Sequence, residues 1–233
     1  MKLEHLSSIP EALDALEQMT GRPSLFDPPL RHPSAQMALP ESGGVVQAEE
    51  LTTKALTHPG LLDYLRSRGI SQAVAREYVK EAHYTRSDRK LFALAFPNNA
   101  GGYELRSARF KGTHGAKGIT LIESPEHPNA TLSIFEGFMD MLSAVELGLL
   151  PKDGSSVLVL NSAAMRERAA EFTRERTFQD IHLYLDNDEA GKQLVVYFRE
   201  QFPETHIEDR SALYATNKDL NEYLQTQMLE RTR

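Results

Sequence analysis

From Thr131 onward, short apolar runs alternate with helical stretches, and polar residues stand where each run stops. TLSIFE (131–136), SVLVLN (156–161) and DIHLYLDND (180–188) read as strands, with THIEDRS (205–211) as a fourth. Continuous apolar runs of this kind mark strands covered on both faces. Between and after them GFMDMLSAVELG (137–148), SAAMRERAAEFTRE (162–175), EAGKQLVVYFREQF (189–202) and LNEYLQTQML (220–229) read as helices. Strict β-α alternation is satisfied by a parallel sheet with right-handed crossovers and helices packed against it. The expected class is therefore α/β, a Rossmann-like parallel sheet flanked by helices.

Ligands of an open parallel sheet bind beyond the carboxyl ends of its strands. Glu136 closes the first strand, Asn161 and Ser162 the second, and Asp186, Asn187 and Asp188 the third. Clustered carboxylates repel one another unless a cation or shared protons compensate. Hard oxygen donors with room for water suit Mg²⁺ or Mn²⁺. Asp186 and Asp188, two residues apart, project the same way if the segment stays extended, so both reach one metal zone. Glu136 arrives from a separate strand, as a metal ligand or a proton carrier. Asp140 lies one helical turn beyond it and faces the same edge. Simpler roles compete: Asp188 suits a helix N-cap and Asp140 a charge near a helix N-terminus.

Upstream the pattern differs. Residues 7–19, SSIPEALDALEQM, read as a short amphipathic helix with Ser8 as N-cap, followed by a Pro-, Ser- and Gly-rich linker. Residues 51–125 read as a small α+β module. It holds a helical hairpin (59–67 and 71–82) around Arg68-Gly69-Ile70-Ser71, then strands LFALAF (91–96) and YELRSARF (103–110) flanking PNNAGG. GITLI (118–122) is placed as an extension of that hairpin's sheet. The chain thus divides into 1–50, helix and linker; 51–125, the module; and 126–233, the α/β domain.

Composition narrows the possibilities. Cysteine is absent, which excludes disulfides and thiolate zinc sites. No run is apolar enough to cross a bilayer, and the N-terminus is not a signal peptide, so no membrane partner and a cytoplasmic location are expected. The net charge of −7 argues against a protein that coats nucleic acid through phosphate neutralisation alone. Yet Arg86, Arg89, Lys90, Arg106, Arg109, Lys111 and Lys117 fall in one stretch whose acids are Asp88 and Glu104. That arrangement fits an acidic metal site beside a local basic surface.

These residues carry a resemblance. FEGFMD (135–140) and LYLDNDEAGKQ (183–193) resemble the Toprim signature shared by bacterial primases, topoisomerases and some nucleases, and E-G-[FY]-x-D is most similar to the primase branch. NKDLNEYL (217–224) is similar to a late Toprim element, with Asp219 as the matching acid and Lys218 before it. LLDYLRSRGIS (61–71), FALAFPNNAGGYELR (92–106) and RFKGTHGAKGITLI (109–122) resemble the domain preceding Toprim in primase-like proteins of plasmids and mobile elements, notably of the Bacteroides group. Those proteins usually begin with a zinc ribbon, which a chain without cysteine lacks.

The resemblance implies Mg²⁺- or Mn²⁺-dependent nucleotidyl transfer on nucleic acid. Glu136, Asp186 and Asp188 would be the catalytic, metal-binding set, joined at the metal by Asp140 and Asp219. Arg106, Arg109, Lys111 and Lys117 would hold the template or the triphosphate, with Asn161, Ser162 and Lys218 at the metal edge. The partners implied are a single-stranded DNA template, NTPs and a replicative helicase. A Toprim nuclease and a non-catalytic replication or mobilization accessory remain the alternatives. Other patterns point nowhere: GTHGAKG (112–118) lacks P-loop spacing, no histidines have zinc spacing, and Ser162 is not in a nucleophile elbow.

Overall fold

The computed structural model describes residues 44–46, 51–86, 89–124, 126–127, 129–151 and 155–231. The helix expected over 7–19 and most of the linker lie outside the described residues, but Gly44–Val46, placed in the linker, form a strand that joins the module's sheet. In the first half the elements are β1 (Gly44–Val46), β2 (Leu51–Lys54), α1 (Pro59–Ser67), α2 (Gln72–Tyr78), β3 (Lys80–Arg86), β4 (Arg89–Pro97), β5 (Tyr103–Ser107) and β6 (Phe110–His114). The second half runs β7 (Thr120–Ile122), β8 (Thr131–Phe135), α3 (Phe138–Glu146), β9 (Ser156–Val159), α4 (Arg166–Arg174), β10 (Asp180–Tyr184), α5 (Glu189–Gln201), β11 (His206–Asp209) and α6 (Leu220–Arg231). Two 3₁₀ turns, Ala163–Met165 and Arg210–Tyr214, precede α4 and follow β11.

The expected helical hairpin forms, but its second helix stops early. Ser71 caps α2 by accepting the Val74 N–H at 3.2 Å, and the chain is extended again from Lys80. The sequence KEA favours a helix by itself; here it gives way to a ladder with β4 that runs from Lys80↔Ala95 to Arg86↔Arg89. Asn98 closes the β4–β5 hairpin: its Oδ1 accepts the N–H groups of Ala100 and Gly102, and its Nδ2 donates to Ala116. The run read as one strand over 103–110 breaks at residues 108–109 into β5 and β6. The resulting sheet has the order β1-β6-β5-β4-β3-β2, antiparallel except for β1 against β6.

In the second sheet the order is β11-β10-β8-β9-β7. The four strands read from the sequence are all parallel, as the alternation required. The fifth, β7, is a correction: it pairs antiparallel with β9 and does not extend the module's sheet. Its apolar residues meet Val157 to Val159 rather than β6, where Gly115 turns the chain away with φ +74°.

Burial explains how the pieces hold together. Ile134, Leu158 and Leu183 on one face of the second sheet pack against Ala169 of α4 and Leu194 and Phe198 of α5. The opposite face, through Phe135, Val159 and Tyr184, packs under α3 and α6. That core does not end there. It continues through α1 and α2, by Leu61, Leu65 and Ala75, to Leu94 and Phe96 of β4. The stack of Phe96 on Phe138, with centroids 5.0 Å apart, joins the two sheets' elements directly. Among the described residues no helix is long and apolar enough to cross a membrane.

Candidate metal and nucleic-acid site

Glu136 follows β8 directly, and Gly137 at the N-cap of α3 leaves the turn open, so the carboxyl stands at the strand's end. It accepts the Asp186 N–H, while its Oε2 is buried and has no partner. Asp140, in the first turn of α3, is 9% exposed, and its Oδ1 accepts the Asn221 N–H of α6 at 3.1 Å. Asp219 accepts the Glu222 N–H at 2.7 Å and so caps α6. Asp186 stands just past β10 with Lys218 Nζ at 4.0 Å from its Oδ2. Side chains of Glu136, Asp140, Asp186 and Asp219 line one pocket.

The electrostatics follow from this crowding. Burial and then Glu136 and Asp219 push Asp186 up to about 7, against the counter-pull of Lys218. Burial, with Asp219 and Asp186 after it, holds Asp140 well above the usual carboxylate range. Glu136 is raised by burial and by Asp188. The set is thus hard oxygen donors whose charge Lys218 and Lys111 offset only in part, plus one orphaned carboxylate oxygen. Both observations fit a divalent cation in this pocket. Among the described residues no three His, Cys, Asp or Glu side chains are already closed into a cation cage.

Asp188 lies beside Glu136 and Asp186, close enough to raise both. The strand ends at Tyr184, so the two-residue alternation no longer governs residues 186–188. Asp188 accepts the Gly191 N–H at 3.0 Å through Oδ1 as the N-cap of α5, the capping role its sequence position also suited.

Facing the acids are basic side chains of the first sheet. Leu94, Arg106 and Lys111 stand side by side on β4, β5 and β6, and Arg106 and Lys111 line the pocket. The Arg106 Nε donates to the Tyr64 hydroxyl of α1 at 3.3 Å. Arg109 and Lys117 are exposed and do not line it, because Arg109 sits in the β5–β6 turn and Lys117 in the loop before β7. Asn161 and Ser162 do. Asn161 has φ 64°, donates through Nδ2 to the Gly118 carbonyl and the Thr120 hydroxyl, and keeps its buried Oδ1 unpartnered.

Sequence reasoning missed two lining residues, Arg68 and Glu104. Arg68 is the C-cap of α1, and its buried Nε has no partner. Nothing in LRSRG separates it from the exposed Arg66, which pairs with Asp63 at 2.7 Å. Glu104 shares its face of β5 with Arg106; it accepts the Thr113 hydroxyl at 2.8 Å, and burial raises it. The strand's alternation was the available signal for Glu104. Asn187, between the two aspartates, also has a positioning part. It ties the β10 end to the segment before α6 through Lys218, Tyr214 and Asn217 carbonyls at 2.7, 2.8 and 2.9 Å.

Residues 133–224 match the model of the family described as Toprim-like, and residues 50–115 match a domain of unknown function (DUF8464). No curated protein matches the sequence. Among solved structures, the primase fragment of the bacteriophage T7 primase-helicase protein is similar over 84% of this chain and 82% of its own, with 19% identity and a TM-score of 0.53. The small TOPRIM domain protein from Bacillus stearothermophilus is 24% identical over 45% of this chain and 90% of its own, with a TM-score of 0.29. The fold is α/β: a Toprim domain with a mixed, mainly parallel sheet flanked by helices, preceded by a small, mainly antiparallel sheet module.

Proposed function

We propose that this chain is a primase-like nucleotidyltransferase that joins NTPs on a single-stranded DNA template, with Mg²⁺ or Mn²⁺ bound at the second sheet's edge. The observation that carries the reading is the meeting, in one pocket, of four strand-edge and helix-start acids with basic side chains from a different sheet. Acids alone suit any cation site; the opposing Arg68, Arg106 and Lys111 add the positive wall that phosphates need.

Asp140, Asp186 and Asp219 would hold the cation, which leaves Glu136 beside it as the base. When bound it supplies Lewis-acid stabilisation of phosphate charge and a lowered pKa for a coordinated hydroxyl. Arg106 and Lys111 receive the triphosphate or the template backbone. A 3′-oxygen forms a bond to the α-phosphorus as the bond to the β-phosphate's bridging oxygen breaks and pyrophosphate leaves. Glu136, raised in pKa and with Oε2 unpartnered, accepts the 3′-hydroxyl proton. Lys218, beside Asp186, meets the charge of the leaving pyrophosphate. Asp188 caps the α5 start through Oδ1 and would join the cation set through its other oxygen. A replicative helicase is the partner such an activity implies, in the replication or transfer of a mobile element.

The test uses the full chain with Mg²⁺ or Mn²⁺, labelled NTPs and single-stranded templates. Extended labelled products are expected; a shortened template would make the protein a Toprim nuclease, and neither product would make it a binding accessory. Asp186→Asn should lower product formation at least about 100-fold with an unchanged circular dichroism spectrum. Full activity in that variant would remove Asp186 from the metal set.

A further inference from the structure

On the face of the first sheet that carries Arg106 and Lys111, Phe92 of β4 is 40% exposed although it sits mid-strand. The side chains two and four residues further along β4 on the same face, Leu94 and Phe96, are buried in the core that includes α1, and Phe96 stacks on Phe138 of α3. The imidazole of His58 stacks on the Phe92 ring, with centroids 3.7 Å apart and planes 29° from parallel. That imidazole is fixed in place. Its Nδ1 accepts the Gly60 N–H at 3.1 Å as the N-cap of α1, and its own backbone N–H donates to Glu81 Oε2 at 2.7 Å. Glu81 is buried and further held by Lys54 at 3.3 Å and His83 at 2.5 Å. A pair of flat rings is therefore presented at the surface, already ordered.

Its surroundings are cationic. Lys90 is exposed two residues before Phe92 on the same face, and Arg106 lies one strand over, opposite Leu94. The acids nearby have partners: Glu81 is held by Lys54 and His83, Asp63 by Arg66, and Glu104, beside Arg106 on β5, by the Thr113 hydroxyl. From Phe92 to the Arg106 position is two residues along a strand and one strand across, roughly 8 Å by sheet spacings. That is the span of two or three stacked nucleotides at about 3.4 Å each. Helix α1 runs beside the same path, with His58 at its start, Tyr64 bonded to Arg106 in its middle and pocket-lining Arg68 at its end.

We propose that the Phe92–His58 pair is a stacking platform for a base of single-stranded nucleic acid, two or three nucleotides from the acidic pocket, with Lys90 and Arg106 on the flanking phosphates. Rings that stack without reading base edges hold any sequence, and a pre-ordered pair does so at small entropic cost. The inference rests on the nucleic-acid reading above and adds a second contact that the chemistry does not require.

The experiment measures binding of a fluorescein-labelled 16-nucleotide oligothymidylate, and of an abasic oligomer of equal charge, to the full chain and to Phe92→Ala and Phe92→Trp, with primer synthesis assayed in parallel. Phe92→Ala should weaken oligothymidylate binding roughly 5- to 100-fold and leave abasic binding within about twofold, and Phe92→Trp should restore it. Equal loss on both oligomers, or no loss, overturns the platform. If the wild-type chain makes product while Phe92→Ala binds normally, the platform fails and the proposed activity stands. Binding that depends on Phe92 without any product leaves the platform and removes the polymerase reading. A shift in sedimentation on Phe92→Ala with oligothymidylate binding unchanged overturns the proposal in favour of a contact between copies of the chain.

Discussion

Glu81 carries its charge where its side chain is only 1% exposed. Burial alone would push its carboxyl up, but the Thr57 N–H, His83, the His58 N–H and Lys54 outweigh it and hold the group at about 2, below its ordinary 4.5. A carboxyl depressed in the folded state adds stability that is complete above the unfolded value and is lost as pH falls through the folded one. The acid-labile window for this group therefore runs from 4.5 down to about 2. Glu81→Gln should cost about 2 kcal/mol at pH 7, since hydrogen bonds to a charged group are lost, and urea midpoints of the variant should fall less than wild type between pH 5 and pH 3. Parallel acid limbs for the two proteins would show that Glu81 does not anchor the α1 start. The residue was invisible in the sequence because three of its partners, Lys54, Thr57 and His58, lie more than twenty positions away, whereas Glu136 was visible because strand ends are marked by the local pattern.

Among the elements, α5 is the one most constrained by its neighbour. A Cβ on Gly191 would stand 1.9 Å from the Asp186 carbonyl oxygen, so the helix start rests directly on the backbone of the turn that presents Asp186. Gly191→Ala must push one from the other. Overpacking of this kind costs about 1–3 kcal/mol, and the variant should lose cation-dependent activity beyond what its lowered melting temperature explains. Unaltered activity would show that the turn tolerates displacement. The α5 span itself was legible, since DNDEAGKQ combines a capping acid with a helical period. The capping role of Asp188 was legible as well; what a local pattern hides is pairing with distant segments. The same limit explains β3, whose helix-favouring residues are claimed by β4, and β7, whose partner strand lies beyond the next two elements in sequence.

Taken as a whole, the described fold behaves as one body because one apolar core runs from Leu94 through Leu65 to Phe138 and Tyr184. Leu65 is fully buried at the middle of that chain of contacts. Leu65→Ala should cost about 2–5 kcal/mol, and thermal unfolding should remain a single transition by both far- and near-ultraviolet circular dichroism, at lower temperature. Two separated transitions would mean that the sheets melt independently. The division of the sequence into a mixed module and an alternating domain was legible from periodicity; the apolar seam between them was not, because α1 and α2 look like any amphipathic hairpin until their partners are known. That seam has a mechanical corollary. The pocket's basic and acidic walls are carried by elements that share one apolar core, so their separation is set when the chain folds and a ligand meets both walls already in place.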